Sequence, residues 1–138
     1  MDDIEKLLPH REPFLFVDKI EKADENEIIG YKTYKETEHF FKGHFPDYPV
    51  VPGVILIETM AQCGGAGIRL QKILGDSIFF LASVNKAKFK RQVRPGEQVK
   101  LVISNLRISK NMLKQSGRAF VGDELAAEAE WLCIVKSA

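Results

Sequence analysis

Between positions 52 and 74 the chain reads Pro-Gly-Val-Ile-Leu-Ile-Glu-Thr-Met-Ala-Gln-Cys-Gly-Gly-Ala-Gly-Ile-Arg-Leu-Gln-Lys-Ile-Leu, and no other stretch restricts the fold as much. It has the length of a helix and a Pro-Gly start, and its apolar residues fall almost all the way round the helical circumference. A helix apolar on nearly every side has to be surrounded. Gly64, Gly65 and Gly67 stand inside it, each costing about 1 kcal/mol relative to Ala. Another backbone or an extended ligand is therefore expected to come close to that face.

The rest of the chain supplies the surroundings. Residues 14–22 and 27–34 are rich in β-branched and aromatic side chains and are separated by Ala-Asp-Glu-Asn, the pattern of an antiparallel pair. Strand texture returns at 77–93, 98–108, 113–121 and 125–135, divided by Arg-Pro-Gly-Glu, Ser-Lys-Asn and Gly-Asp-Glu turns. The last segment has helical composition, but Leu125, Ala127, Ala129, Trp131, Cys133 and Val135 occupy alternate positions, with Glu124, Glu128, Glu130 and Lys136 on the other parity, so it reads as a strand. Ahead of all these, Asp2 or Asp3 can cap a short helix that runs through Leu8 and stops at Pro9. The sum is α+β: an antiparallel sheet curled around one helix. With 138 residues, 45% of them hydrophobic, residues 1–138 are expected to form a single domain.

Charge and cysteine usage narrow the function classes. Twenty basic residues against nineteen acidic ones give a net charge of +1, which offers no footprint for a bulk nucleic-acid or membrane binder. The acidic start, with no apolar leader and no lipid-crossing run elsewhere, predicts a soluble, cytoplasmic protein. Cys63 and Cys133 lie far apart and have no ligand-like spacing, so both read as reduced, packed thiols. One local asymmetry stands out: Lys86, Lys88, Lys90, Arg91 and Arg94 lie within nine residues that hold no acid. The three lysines share a strand parity and hence a face. They make a local positive strip on a nearly neutral molecule.

The chemistry concentrates between Gly43 and Gln62. Pro46, Pro49 and Pro52 hold the chain stiff between His44 and Gly53. At Gly53 the first-turn N–H groups have no helical partner, and the absent Cβ lets a carbonyl oxygen approach them, a place suited to a developing enolate. Glu58 lies on an otherwise apolar helix, where desolvation favours the protonated form that a general acid needs, and Gln62 shares its face one turn on. His44 can supply a neutral base. Together they suit removal of a proton α to a thioester carbonyl with protonation of a departing β-hydroxyl. His10 and His39 are assigned to structure. No metal is expected, because nothing makes His39, His44 and Glu58 converge.

These residues resemble a known family. His44-Phe45-Pro46-x-x-Pro49-x-x-Pro52-Gly53-Val54 followed by Glu58, Ala61 and Gln62, together with Leu8-Pro9-His10-Arg11-x-Pro13-Phe14 and Lys88-Phe89-Lys90-Arg91-x-Val93-x-Pro95-Gly96, is similar to the FabZ-type (3R)-hydroxyacyl-[acyl carrier protein] dehydratases of bacterial fatty-acid synthesis. The resemblance implies a hot-dog fold and a cofactor-free hydro-lyase. It implies a homodimer, assembled further into a trimer of dimers, whose sites each combine His44 of one subunit with Glu58 of the other. His44 would take the C2 proton, Glu58 would protonate the C3 hydroxyl, and the Gly53 amide would bind the thioester carbonyl. Val54, Gln62, Phe79 and Phe80 are expected along the acyl chain, and Lys86, Lys88, Lys90, Arg91 and Arg94 against the acidic carrier protein. Glu58, where the FabA branch has Asp, favours the FabZ branch. The departures are Ser83, Asn85 and Gln92, for which Gly, Asp and Pro are frequent, and Phe79-Phe80 where a tyrosine commonly guards the tunnel. They bear on chain length and gating, not on the reaction. A thioesterase of the same fold would need its water-activating acid elsewhere, and a non-catalytic acyl-binding subunit could lose His44 or Glu58; both are present.

Overall fold

A computed structural model describes residues 3–137. Helix α1 (Ile4–Leu7) is capped by the Asp3 carboxylate, which accepts from the Glu5 N–H, and it ends one residue before Pro9 forces extended backbone on Leu8; Asp2, the other candidate cap, lies outside the described residues. Strands β1 (Lys19–Ala23) and β2 (Ile28–Thr33) pair antiparallel. A 3-10 turn at His39–Lys42 leads to helix α2 (Gly53–Leu70). Then come β3 (Ser77–Phe89), β4 (Gln98–Ile108), β5 (Met112–Val121) and β6 (Glu124–Ser137). The six strands form one antiparallel sheet in the order β1-β2-β4-β5-β6-β3.

The sheet wraps the helix: α2 packs against all six strands. Leu56, Met60, Cys63, Ala66 and Ile68 of the helix and Ile28, Leu101, Ile103, Leu113 and Trp131 of the sheet are buried in one continuous core. This is the hot-dog arrangement expected from the apolar circumference of 52–74. In β6, Ala127, Ala129, Trp131, Cys133 and Val135 point inward as their alternation predicts, and pairing with the core overrides the helical composition of the segment. Leu125 is only half-buried, because a bulge opposite Ala119 and Phe120 interrupts the alternation there.

Three boundaries differ from expectation by more than two residues. Among the described residues, 14–17 join no ladder, because their backbone groups bond a helix side chain instead: Phe16 N–H donates to Gln62 Oε1 (2.8 Å) and Phe14 C=O accepts from Gln62 Nε2 (3.1 Å). Helix α2 stops at Leu70 rather than Leu74, since Lys72 adopts a left-handed φ of 59° just beyond Gln71 and closes the end. Strand β3 stops at Phe89 rather than Val93, whose carbonyl accepts from Val51 N–H (2.8 Å) and so braces the lead-in to α2.

The three helix glycines are filled by side chains of the sheet, not by another backbone. A Cβ at Gly64 would overlap the Gln115 carboxamide, at Gly65 it would stand 3.0 Å from the Phe79 ring, and at Gly67 it would collide with Ile28. Gln115 is itself buried, accepting from Trp131 Nε1 (3.2 Å) and donating to Gly64 C=O (3.3 Å) and Asn105 Oδ1 (2.8 Å), so helix and sheet are joined by a satisfied polar link. Among the described residues no helix is long and apolar enough to cross a membrane.

Candidate active site

His44 follows the 3-10 turn, and the backbone fixes it on both sides. Its N–H donates to Phe40 C=O (3.1 Å), and its C=O accepts from Val50 N–H (3.2 Å). The half-buried ring stacks on Phe45 at 4.3 Å, and its Nδ1 lies 3.1 Å from Val50 C=O. A carbonyl can only accept, so this bond places the proton on Nδ1 and leaves the Nε2 lone pair free to take one. The cavity that His44 faces is lined by Gly53, Val54, Phe89, Lys90 and Arg91. Among the described residues no side chain caps the start of α2 there, which leaves its first-turn donors without a side-chain acceptor. Gly53 is required sterically as well, since a Cβ would stand 2.9 Å from the Phe89 ring.

Glu58 lies a turn and a half further along α2 and lines a different cavity with Leu8, His10, Gln62, Phe79 and Leu81. Its carboxylate is 21% exposed and accepts from Gln62 Nε2 at 2.9 Å, with His10 Nε2 at 3.7 Å from the same oxygen. Gln62 is 2% exposed, and both its donor bonds and its acceptor bond go to the protein, so it anchors the 14–16 segment to the helix and aims Glu58. Cys133 forms part of the same wall; burial, helped by the Glu58 charge, pushes its thiol up to about 12 and keeps it neutral.

One chain therefore brings His44, Gly53 and Val54 together, and separately Glu58, Gln62 and Phe79, but does not set His44 and Glu58 in one cavity. The phenylalanine pair splits. Phe79 faces the helix at Gly65, whereas Phe80, on the opposite parity, is 52% exposed on the outer face and pairs across with Ile134. Leu81, which shares the parity of Phe79, lines the Glu58 cavity in its place.

The cationic strip also divides: Lys86 and Lys88 keep the common face expected of them, and Lys90 does not. Lys86, with φ 54°, sits in a bulge of β3. Lys86 and Lys88 line a groove on the outer sheet face with Arg118, Glu128 and Glu130, Lys86 Nζ lying 3.5 Å from Glu130. Lys90 follows the end of the strand and lines the His44 cavity. Arg91 donates to both Glu97 oxygens (2.8 and 3.0 Å) and to Glu124 (3.3 Å), while the Arg94 guanidinium lies 4.5 Å over the Tyr48 ring. His10 and Leu81 are the site residues that sequence reasoning left out; a motif position and a strand parity were the available signals.

A FabA-like domain model matches residues 8–130. The 3-hydroxyacyl-[acyl-carrier-protein] dehydratase FabZ of Desulforamulus reducens is 44% identical over 128 residues, 92% of this chain and 90% of its own length. That of Pelotomaculum thermopropionicum is 41% identical over 99% of this chain and 98% of its own. Among solved structures, the dehydratase heterocomplex ApeI:P of Xenorhabdus doucetiae superposes with a TM-score of 0.82 at 15% identity, covering 97% of this chain and 91% of that one. A thioesterase of Pseudomonas aeruginosa reaches 0.65 at 14% identity over 86% and 80%. At these identities the two structures speak to the fold alone. On the domain match and the near full-length identities, the chain belongs to the FabA-like family as a FabZ-type 3-hydroxyacyl-[acyl-carrier-protein] dehydratase.

Proposed function

We propose that this protein eliminates water from (3R)-3-hydroxyacyl carrier protein to give the trans-2-enoyl thioester, using His44 of one subunit and Glu58 of another. His44 Nε2 takes the C2 proton while the thioester carbonyl is held at the Gly53 amide, which stabilises the enolate that forms. The electron pair closes the C2–C3 double bond, the C3–O bond breaks, and Glu58 delivers its proton to the departing oxygen, which leaves as water.

One observation carries the shared site: β3 borders both cavities and has a free edge. Its Phe79 and Leu81 line the Glu58 cavity and its last residue, Phe89, lines the His44 cavity, while β3 ends the strand order. From Phe80 to Phe89 every residue is exposed, including Leu81 and Val84. An exposed edge that carries Phe80, Leu81, Val84 and Phe89 is a hazard unless another strand covers it. Two β3 strands paired antiparallel about a two-fold axis near Val84 would set the Phe79 end of one against the Phe89 end of the other, and so bring the Glu58 cavity of one copy to the His44 cavity of its mate. Lys90, at the mouth of the His44 cavity, is then suited to an acidic carrier protein. A trimer of dimers is a further step of the same proposal and rests on the resemblance alone.

His44→Ala and Glu58→Gln are each expected to abolish water loss from 3-hydroxyacyl carrier protein, read by mass spectrometry of the acyl product, with oligomer size unchanged. Near wild-type dehydration by either variant would overturn the assignment, and a shifted double bond in the wild-type product would make the enzyme an isomerase as well.

A further inference from the structure

His10 sits in the loop after α1, and that loop is fixed from both ends. The Arg11 guanidinium donates to Leu8 C=O (2.9 Å) and His10 C=O (2.7 Å), and Gln62 grips the backbone at Phe14 and Phe16. The backbone that carries the imidazole is therefore held, with Nε2 3.7 Å from Glu58 Oε2 and side-chain exposures of only 27% and 21% for the two residues. Nδ1 is buried and has no hydrogen-bond partner among the described residues. A proton on Nδ1 would be a buried unpaired donor, costing about 1–3 kcal/mol, and would turn the Nε2 lone pair toward a carboxylate oxygen. The partners thus place the proton on Nε2, aimed at Glu58. Burial lowers the pKa of His10 against the pull of the Glu58 charge, so the ring is neutral near neutral pH.

The other walls add little that could do the same work. Besides His10, the titratable group facing Glu58 is the Cys133 thiol from β6, which stays neutral, and Gln62 from α2 does not titrate. Leu8, Ala61, Gly65, Phe79 and Leu81 are apolar. An N–H donor bonds a carboxylate more strongly than a carboxylic acid. Its contribution therefore grows as the proton leaves Glu58, which is the condition for lowering a barrier rather than tightening a ground state. The 3.7 Å separation is long for a hydrogen bond, and such contacts commonly close only with substrate in place.

We propose that His10 is a positioning residue for the acid, its Nε2–H closing on Oε2 as Glu58 gives up its proton and stabilising the carboxylate left behind. This rests on the reading of Glu58 as the acid. In the intact oligomer with 3-hydroxyacyl carrier protein as substrate, His10→Phe is expected to lower kcat by roughly ten- to a hundredfold, with KM held within about twofold. The same variant should move the alkaline limb of the kcat–pH profile upward, because it removes a donor that bonds the carboxylate more strongly than the acid. His10→Gln, whose Nε2 can stand where the ring nitrogen stood, should recover most of the loss and restore the limb. If His10→Phe does not melt and elute as wild type, His10→Asn, too short to reach Oε2, replaces it. Wild-type kcat with an unmoved limb, or a loss confined to KM, overturns the proposal. Glu58→Gln separates the two readings: dehydration by that variant removes the acid itself, whereas an inactive Glu58→Gln beside a wild-type His10→Phe removes only the role of His10.

Discussion

Replacing Gln62 by Leu tests whether one side chain ties the 14–16 segment to the helix that carries Glu58. The substitution keeps an apolar stem in a fully packed place but deletes three hydrogen bonds, of 2.8, 2.9 and 3.1 Å. They are not equal in cost. Phe14 is 46% exposed, so its carbonyl can turn to water, whereas Phe16 is fully buried and its N–H would be left without a partner. That stranded donor costs about 1–3 kcal/mol, and the lost bond to the Glu58 carboxylate adds about 1 kcal/mol more at its partial exposure. A net loss of about 2–4 kcal/mol corresponds to a melting temperature lower by about 10 °C for a chain of this size. The assay is thermal unfolding followed by circular dichroism, at one protein concentration because assembly contributes to stability. Gln71→Leu at the C-cap of the same helix, which loses only a partly exposed bond to Gly67 C=O, should stay within about 0.5 kcal/mol of wild type. Equal melting of the two variants would refute the bridging role of Gln62.

Acid should weaken the protein in part through His10. Its folded pKa lies below its ordinary value of 6.5, so the unfolded chain binds the extra proton first; this contribution is present above pH 6.5 and lost as pH falls from there through the folded value. His10→Gln should flatten that part of the stability–pH curve, and an unchanged curve would show that the ring does not titrate on unfolding. Lys90→Glu is expected to raise KM for the carrier-bound substrate several-fold at low salt and much less at high salt, while Lys86→Glu, on the outer face beside Glu130, should leave KM unchanged. The opposite ranking would move the docking surface to the outer groove.

The apolar circumference of residues 52–74 was enough to read a surrounded helix, and the alternation at Ala127, Ala129, Trp131 and Cys133 outweighed a helical composition. What stayed hidden depends on partners far away in sequence. Residues 14–17 have strand composition, but Gln62, 46 positions downstream of Phe16, takes the bonds a neighbouring strand would have taken. The left-handed turn at Lys72 ends α2 before two further apolar residues, and the end of β3 at Phe89 takes Lys90 away from the face that Lys86 and Lys88 share. Phe79 and Phe80 were separable by strand alternation alone, since adjacent residues face opposite ways. Within the candidate site, His44, Gly53 and Glu58 were legible because an imidazole, a bare helix start and a carboxylate in apolar sequence each need a reason. His10 was not, because its significance lies in a loop folded back onto α2.

The central claim is that each site takes its histidine and its carboxylate from different copies, and subunit mixing measures it. His44→Ala and Glu58→Gln, each inactive alone, are combined under conditions of demonstrated exchange and assayed for dehydration of 3-hydroxyacyl carrier protein. A mixed dimer then holds one site with both lesions and one with neither, so random exchange should restore about a quarter of wild-type activity. No recovery from a mixture shown to contain mixed dimers would contradict the shared site and place the complete pair within one chain.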